Sequence, residues 1–196
     1  MEFSTQEIDL LIAKRRSIYP EQYSGEIIPD AIVEQLLENA CWAPTHKITE
    51  PWHFTVFTGK GLKLLADFQA SLYQKVSMRQ GNFHSDKFKK LATKPLKASH
   101  IIAIGMKRDR KAAVPEVEEL AAVAAAVQNM QLSATAYGIG CYWGSGGITY
   151  MEEAKSFFGL EASDKLLGFL YLGIPRQWPQ KGRRKKTGKS FPWIRE

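Results

Sequence analysis

The sequence is poor in the residues that build covalent and metal-linked scaffolds. Its 196 residues include two cysteines, Cys41 and Cys141, and four histidines that lie in four different segments. Two cysteines are too few for a disulfide framework, and neither they nor the histidines show the spacing of a metal site. We therefore expect no bound metal, and a reducing cytoplasm as the simplest compartment.

Long apolar runs are also missing. No stretch approaches the roughly 18 residues that a membrane-spanning helix needs. The first seven residues are acidic and polar, whereas a secretory signal would be basic and then apolar. The sequence thus predicts a cytoplasmic protein with no membrane partner.

The excess basic charge is confined to the end of the chain. The net charge is +7, yet residues 1–175 hold 19 basic and 19 acidic residues, and residues 176–196 hold eight and one. Proteins that bind nucleic acid usually spread basic residues over a face of the fold, so this distribution argues against such a partner. A binding role of the tail stays open, because its cations are interleaved with Phe191 and Trp193. We expect a single domain over residues 1–196, with 176–196 as a basic C-terminal extension.

Hydrophobic periodicity predicts an α+β fold with a central sheet. Two helices, opened by the capping box of Ser4 and by Asp30, precede the first strand, which argues against a doubly wound sheet. Helical spacing recurs over 62–79, 115–137 and 151–158, and residues 80–97 are polar and lysine-rich, as in a mobile loop or lid. The predicted strands are 52–58, 99–106, 139–143 and 166–174.

Two glycine-rich segments lie near the third predicted strand. Neither Gly138-x-Gly140 nor Gly144-Ser145-Gly146-Gly147 completes the fingerprint of a dinucleotide-binding turn. The second segment is compatible with a simple turn after a strand, or with a backbone cradle for a flat or anionic ligand. Both interpretations remain open from the sequence alone.

The triplet Arg15-Arg16-Ser17 follows the first predicted helix. Cations at a helix C-terminus interact favourably with the helix dipole, which is one explanation. Two guanidinium groups and a hydroxyl also supply the directed donors that a phosphate needs, which is the other. Since no nucleophile-base pair or carboxylate pair stands out, we expect any chemistry here to belong to a cofactor.

Taken together, the motifs resemble the nitroreductase family of FMN-dependent oxidoreductases, in its small, minimal subgroup. Their order and spacing match along nearly the whole chain. The matching segments are Arg15-Arg16-Ser17, Ala43-Pro44-Thr45-His46, Glu50-Pro51-Trp52-His53-Phe54, the Ala-rich helix before Gly138, Trp143-Gly144-Ser145-Gly146 and Leu167–Pro175.

The resemblance implies a dimeric α/β/α sandwich with a central mixed, mostly antiparallel sheet. It implies a homodimer with FMN at the subunit interface and NADH or NADPH as the electron donor. Arg15, Arg16 and Ser17 would contact FMN in one subunit, and Pro44, Thr45 and His46 would come from the partner. The flavin would be lined by Gly144, Ser145 and Gly146, and Lys181 and Arg183 would grip its phosphate.

The function implied is hydride transfer from NAD(P)H through flavin N5 to a small-molecule acceptor, namely a nitroaromatic, a quinone or an activated alkene. No catalytic residue is expected beyond the flavin. An FMN-binding carrier or sensor with little turnover is the alternative. Tyr19 and Glu50 depart from the family pattern, where an Arg and a polar amide are common.

Overall fold

A four-stranded antiparallel sheet lies at the centre of the computed structural model, which describes residues 4–180, 182 and 192–195. The strands are β1 (Trp52–Thr58), β2 (His100–Met106), β3 (Gly140–Gly144) and β4 (Lys165–Gly173), in the order β1-β2-β4-β3. A parallel bridge between Ser17 and Cys141 adds to the outer edge of β3. The predicted α+β class and the mixed, mostly antiparallel sheet are confirmed.

Helices cover both faces of this sheet. They are α1 (Thr5–Lys14), α2 (Asp30–Cys41), α3 (Lys60–Arg79), α4 (Ser85–Thr93) and α5 (Glu116–Ala136). Short 3₁₀ turns span Pro20–Gln22, His46–Ile48, Lys94–Lys97 and Glu152–Phe158. Within the described residues, none of these helices has both the length and the apolar character needed to cross a bilayer.

Alternating side chains of β2 and β4 separate the core into two layers. Ile102 and Leu170 face α2 and α5, whereas Ile101 and Phe169 face α3. This alternation follows from the two-residue period of a strand. Because both of their faces are covered, the two strands are apolar apart from His100 and Lys165 at their starts and Tyr171. The chain therefore forms an α/β/α sandwich.

The segment over residues 80–97 differs from the expectation of a loop. It contains α4, followed by the 3₁₀ turn Lys94–Lys97. Phe88 and Leu91 of α4 pack against the core on the α3 side, and the lysines occupy other positions. A helix with so few apolar residues is stabilised mainly by tertiary packing, which its polar sequence does not reveal.

Candidate functional site

The Arg15-Arg16-Ser17 segment leaves α1 and joins the edge of β3. The N–H of Ile18 donates to the carbonyl of Cys141 at 2.9 Å, next to the Ser17–Cys141 bridge. Arg15 Nη1 donates to Gln131 Oε1 on α5 at 3.2 Å. Burial raises the pKa of the Cys141 thiol to about 12, although the nearby Arg15 cation opposes this shift. The thiol is therefore neutral at ordinary pH.

Arg16 fits both interpretations of the triplet. Its Nη1 donates to the carbonyls of Ala13 and Arg15 at 2.6 and 2.9 Å, as expected for a cation at a helix C-terminus. Its Nε is buried and has no hydrogen-bond partner among the described residues. A buried donor without a partner is unfavourable by about 1–3 kcal/mol, so this nitrogen is suited to donate to a ligand oxygen.

The glycine turn, Gly144–Gly147, follows β3 directly. A Cβ at Gly144 would lie 2.9 Å from Tyr142 Cε1, and one at Gly147 would lie 2.7 Å from Leu91 Cδ2. Gly147 also has a positive φ of 72°. The two residues are therefore constrained to glycine, and the turn presents backbone with little side chain.

The end of β3 is held against a bulge in β4. The register between β2 and β4 shifts at Ile104/Gly105, which leaves Leu167 as an extra residue, and the Leu167 carbonyl accepts from Trp143 Nε1 at 3.0 Å. Gly168 has φ +119°, and a Cβ there would lie 2.3 Å from the Gly144 carbonyl oxygen. Bulges of this kind commonly re-aim side chains beside functional sites.

A cavity of about 190 Å³ opens beside the glycine turn. The ammonium of Lys94 lies over the rings of Tyr142 and Tyr171, at 4.2 and 5.0 Å from their centroids. Burial lowers the pKa of Lys94 below its usual range. The cavity is lined by Gln69, Lys87, Lys90, Leu91, Lys94, Tyr142, Gly144, Gly146, Gly147, Phe169 and Tyr171.

The structure brings the Arg15-Arg16-Ser17 triplet and the glycine turn together. Ser17 pairs with Cys141, three residues before Gly144 on the same strand. The rings of Tyr19 and Tyr142 lie 4.5 Å apart, which ties the segment after Ser17 to the cavity wall. The arginines of the triplet and the glycine turn, whose backbone is little covered by side chains, thus lie at the same edge of the sheet.

The segment Pro44-Thr45-His46 lies elsewhere on the same protomer. His46 Nδ1 donates to Glu118 Oε2 near the start of α5 at 2.5 Å, whereas Arg15 bonds Gln131 farther along that helix. Glu118 and Gln131 are 13 residues apart, which is about 20 Å at about 1.5 Å per residue. One protomer therefore holds the two predicted groups apart.

Residues Lys181 and Arg183 lie outside the described residues. Gly182 between them is described, and a Cβ there would lie 2.8 Å from Cζ of Arg16. Trp178 Nε1 donates to the carbonyl of Lys14 at 3.2 Å. The chain after β4 therefore returns to the end of α1, where Arg15 and Arg16 lie.

Gln69 and Lys94 are site residues that the sequence interpretation missed. Gln69 occurs at an otherwise apolar position of the helical pattern of α3, between Ala66 and Leu72, and this intrusion of a polar residue was a usable signal. Lys94 has no local signal that separates it from the neighbouring lysines. If residues 85–93 had been predicted as a helix, the three-residue spacing of Lys87 and Lys90 would have placed them on the same helix face.

Comparisons with known proteins assign the chain to a family. The family model that matches is described as the nitroreductase family, and it covers residues 12–174. The chain belongs to the nitroreductase family, and the resemblance inferred from its motifs is confirmed. Within the described residues, no group of three or more potential metal ligands comes together.

Two relatives bear provisional names as NAD(P)H nitroreductases. YdjA of Escherichia coli strain K12 is 35% identical over 145 residues, which are 74% of this chain and 76% of YdjA. YfhC of Bacillus subtilis strain 168 is 29% identical over 177 residues, which are 89% of this chain and 87% of YfhC.

Solved structures share the fold. A nitroreductase-like family protein from Bacillus cereus has a TM-score of 0.80 at 26% identity, covering 100% of this chain and 99% of its own. A protein from Desulfovibrio desulfuricans, provisionally named a nitroreductase and solved in complex with FMN, has a TM-score of 0.69 at 27% identity. It covers 92% of this chain and 93% of its own.

The contact between Gly168 and Gly144 generates a prediction about stability. Replacing Gly168 by Ala forces a Cβ against the Gly144 carbonyl at a φ that L-residues rarely adopt, so we expect the free energy of unfolding to fall by at least about 2 kcal/mol. Urea denaturation measures the change. Gly146→Ala is the matched control, since none of the described atoms lies within 4 Å of a Cβ there. Equal stabilities of the two variants would contradict the proposed constraint.

Proposed function

We propose that the protein is an FMN-dependent oxidoreductase that oxidises NADH or NADPH and reduces nitroaromatic, quinone or activated-alkene acceptors. Family membership supports this function, as do relatives named for NAD(P)H nitroreduction and a 27% identical structure that holds FMN. The observation that carries the proposal is the junction of the Arg15–Ser17 segment with the glycine turn. This junction offers cationic donors for a phosphate beside a bare backbone surface for a flat ring.

The residues present fit FMN. The buried Nε of Arg16 needs an acceptor, and Arg15 and Ser17 supply further donors beside it, as a phosphate monoester requires. At the other end, Gly144 and Gly146 let a planar ring approach the backbone, whose N–H groups around Ser145 can donate to ring acceptors. We assign Lys181 and Arg183 to the phosphate as well, since Gly182 lies against Arg16.

The protein groups act by binding and by electrostatics. When bound, FMN supplies the hydride chemistry, for which amino-acid side chains are not suited. Arg16 and Lys94 provide positive charge around the site, which stabilises negative charge that develops on a ring held there. The low pKa of Lys94 reflects its partial burial, so its charge acts in a poorly solvated place where it is weakly screened.

We further propose that two protomers complete each site. The positions of the two groups support this assignment, because within one protomer His46 bonds Glu118 and Arg15 bonds Gln131, which lie about 20 Å apart along α5. A two-fold symmetric dimer repeats every contact, so it would form two identical sites. Pro44, Thr45 and His46 of one subunit would then reach the flavin of the other.

Exposed apolar surface supports the same dimer. Within the described chain, α1 buries none of its ten residues, although Leu10 and Ile12 are apolar. Trp42 is 82% exposed and Ile48 is 79% exposed, both beside the Pro44–His46 segment. Large apolar side chains in such density are typical of a surface that another protein covers.

The strained loop after Thr45 also lies in this region. Lys47, Ile48 and Glu50 have positive φ angles of 54°, 54° and 43°. Such backbone strain is concentrated at functional sites, where surrounding contacts hold it in place. The hydrogen bonds of Thr45 Oγ1 to Thr49 and to the Glu50 N–H, both at 3.2 Å, hold this loop.

The remaining assignments concern the whole chain. We place the protein in the cytoplasm, because the unpaired Cys41 and the buried Cys141 thiol suit a reducing compartment. We treat residues 1–196 as one domain with a basic extension over 176–196. Most of that extension lies outside the described residues, so binding of nucleic acid there stays a separate hypothesis.

Turnover separates the enzyme from a carrier or sensor. We expect purified protein to oxidise NADPH or NADH in the presence of nitrofurazone or menadione, at a rate well above the oxidase background measured without acceptor. Absorbance of the reduced nicotinamide gives the rate. If flavin stays bound but neither acceptor raises the rate, the protein is a flavin carrier or sensor and the enzyme hypothesis is wrong.

Arg15→Ala tests the phosphate contact. Loss of a charge-assisted contact worth about 1.5–3 kcal/mol should weaken FMN binding roughly 10- to 150-fold. The flavin-to-protein ratio after gel filtration, and titration of apoprotein with FMN, measure the effect. Arg79→Ala is the control, because Arg79 pairs with Glu153 at the surface and lies outside the proposed site. An Arg15→Ala protein with wild-type FMN affinity would refute the assignment.

A further inference from the structure

One face of α4 and the turn after it carries a row of lysines. Lys87, Lys90 and Lys94 are three and four residues apart, which places them on the same side. All three line the cavity beside the glycine turn. Lys89, also on α4, is exposed and does not line this cavity.

This charge is only partly offset nearby, by Glu21, whose carboxylate acts on Lys94 from a distance. The residues that line the cavity include three lysines and, in the part of the chain that the structure describes, no carboxylate. None of the three lysines forms an ion pair with a described residue; the neighbouring Lys97 does so, with Glu21 at 3.5 Å. Lys87 and Lys94 lie instead over the rings of Tyr73 and Tyr142, at 4.8 and 4.2 Å.

Gln69 is a second, independent sign of a ligand. Its side chain is 1% exposed and lines the same cavity, close enough to the Tyr171 hydroxyl to oppose the burial-driven rise of that group's pKa. Its Nε2 still has no partner at hydrogen-bond distance and angle among the described residues. An unsatisfied buried amide is unfavourable by about 1–3 kcal/mol, which a bound acceptor atom would offset. The ammonium groups and this amide are all donors, so the complementary group is an oxygen anion.

The volume of the cavity limits the size of the ligand that carries this anionic group. At about 190 Å³ it is smaller than the roughly 300–1,000 Å³ of sites that enclose a drug-sized molecule. It therefore suits a single ring or one charged group. Because Gly144 and Gly146 line the same cavity, a group held by the lysines would lie beside the proposed flavin site.

We infer that the α4 lysines and Gln69 form a subsite for the carboxylate or phosphate of a substrate that exchanges electrons at the glycine turn. This inference rests on the proposed function. The anion comes either from an acidic acceptor, such as a nitrobenzoate, or from the 2′-phosphate that distinguishes NADPH from NADH. Lys87 and Lys90 then determine specificity and take no part in the chemistry.

Calorimetric titration of the flavin-loaded protein with benzoate and with benzamide tests the subsite without turnover. We expect benzoate to bind more tightly than benzamide, and Lys87→Gln/Lys90→Gln to weaken benzoate about tenfold, as loss of two partly screened charge contacts predicts. Lys89→Gln removes one positive charge from the opposite face of α4 and should leave the affinity for benzoate unchanged. Unchanged benzoate affinity in the double variant would overturn the inference.

Gln69→Leu examines the buried amide separately. Because it removes an unsatisfied donor from a buried position, we expect the protein to be at least as stable as the wild type while it binds benzoate more weakly. A merely structural glutamine would show the opposite, with lower stability and unchanged benzoate affinity. That result would contradict its place in the subsite.

Kinetic ratios distinguish the two sources of the anion. A fall in the kcat/KM ratio of 4-nitrobenzoate to 4-nitrobenzamide in the double variant assigns the subsite to the acceptor. A fall in the ratio of NADPH to NADH assigns it to the donor, and no change in either ratio overturns the inference. Lysine-dependent binding of benzoate without any turnover would support the subsite while the proposed enzyme function fails.

Discussion

The close approach of two backbones, Gly168 of β4 and the Gly144 carbonyl of β3, is the constraint on which the site depends. No side chain fits between them, so the bulged strand holds the end of β3 at a fixed position. The same short strand pairs with Ser17 at its start and ends in the glycine turn. One strand therefore positions both the phosphate-binding candidates and the surface for the ring. In the proposed function a cofactor would supply the chemistry, and the fold supplies the geometry.

Electrostatics and assembly follow from this arrangement. Arg15, Arg16 and Lys94 surround the junction with positive charge, which suits a ligand that carries a phosphate and becomes more negative when reduced. His46 and Arg15 bond Glu118 and Gln131, which lie about 20 Å apart along α5, so in the proposed dimer a second protomer would contribute its own loop to the site. The exposed apolar side chains of α1 and around Trp42 would provide the surface for that contact.

The fold was largely predictable because β2 and β4 are mostly apolar on both faces and the long helices carry regular patterns. Segment 52–58 and the Ala-rich stretch before Gly138 could be assigned from periodicity and end signals. Helix α4 could not, because its stability comes from packing of Phe88 and Leu91 against α3. The Arg15–Ser17 triplet was found through its motif. Gln69 left a local signal, as a polar residue within an apolar helical pattern, whereas the place of Lys94 in the cavity depends on neighbours distant in sequence.

Subunit complementation tests whether each proposed flavin site combines Arg15 of one protomer with His46 of the other. Arg15→Ala and His46→Ala homodimers should each retain little FMN. In their mixed dimer, one site carries both substitutions and the other carries neither. We expect differentially tagged, purified heterodimers to regain about half of the wild-type FMN content. Heterodimers as poor in flavin as both parents would contradict a site built from two protomers.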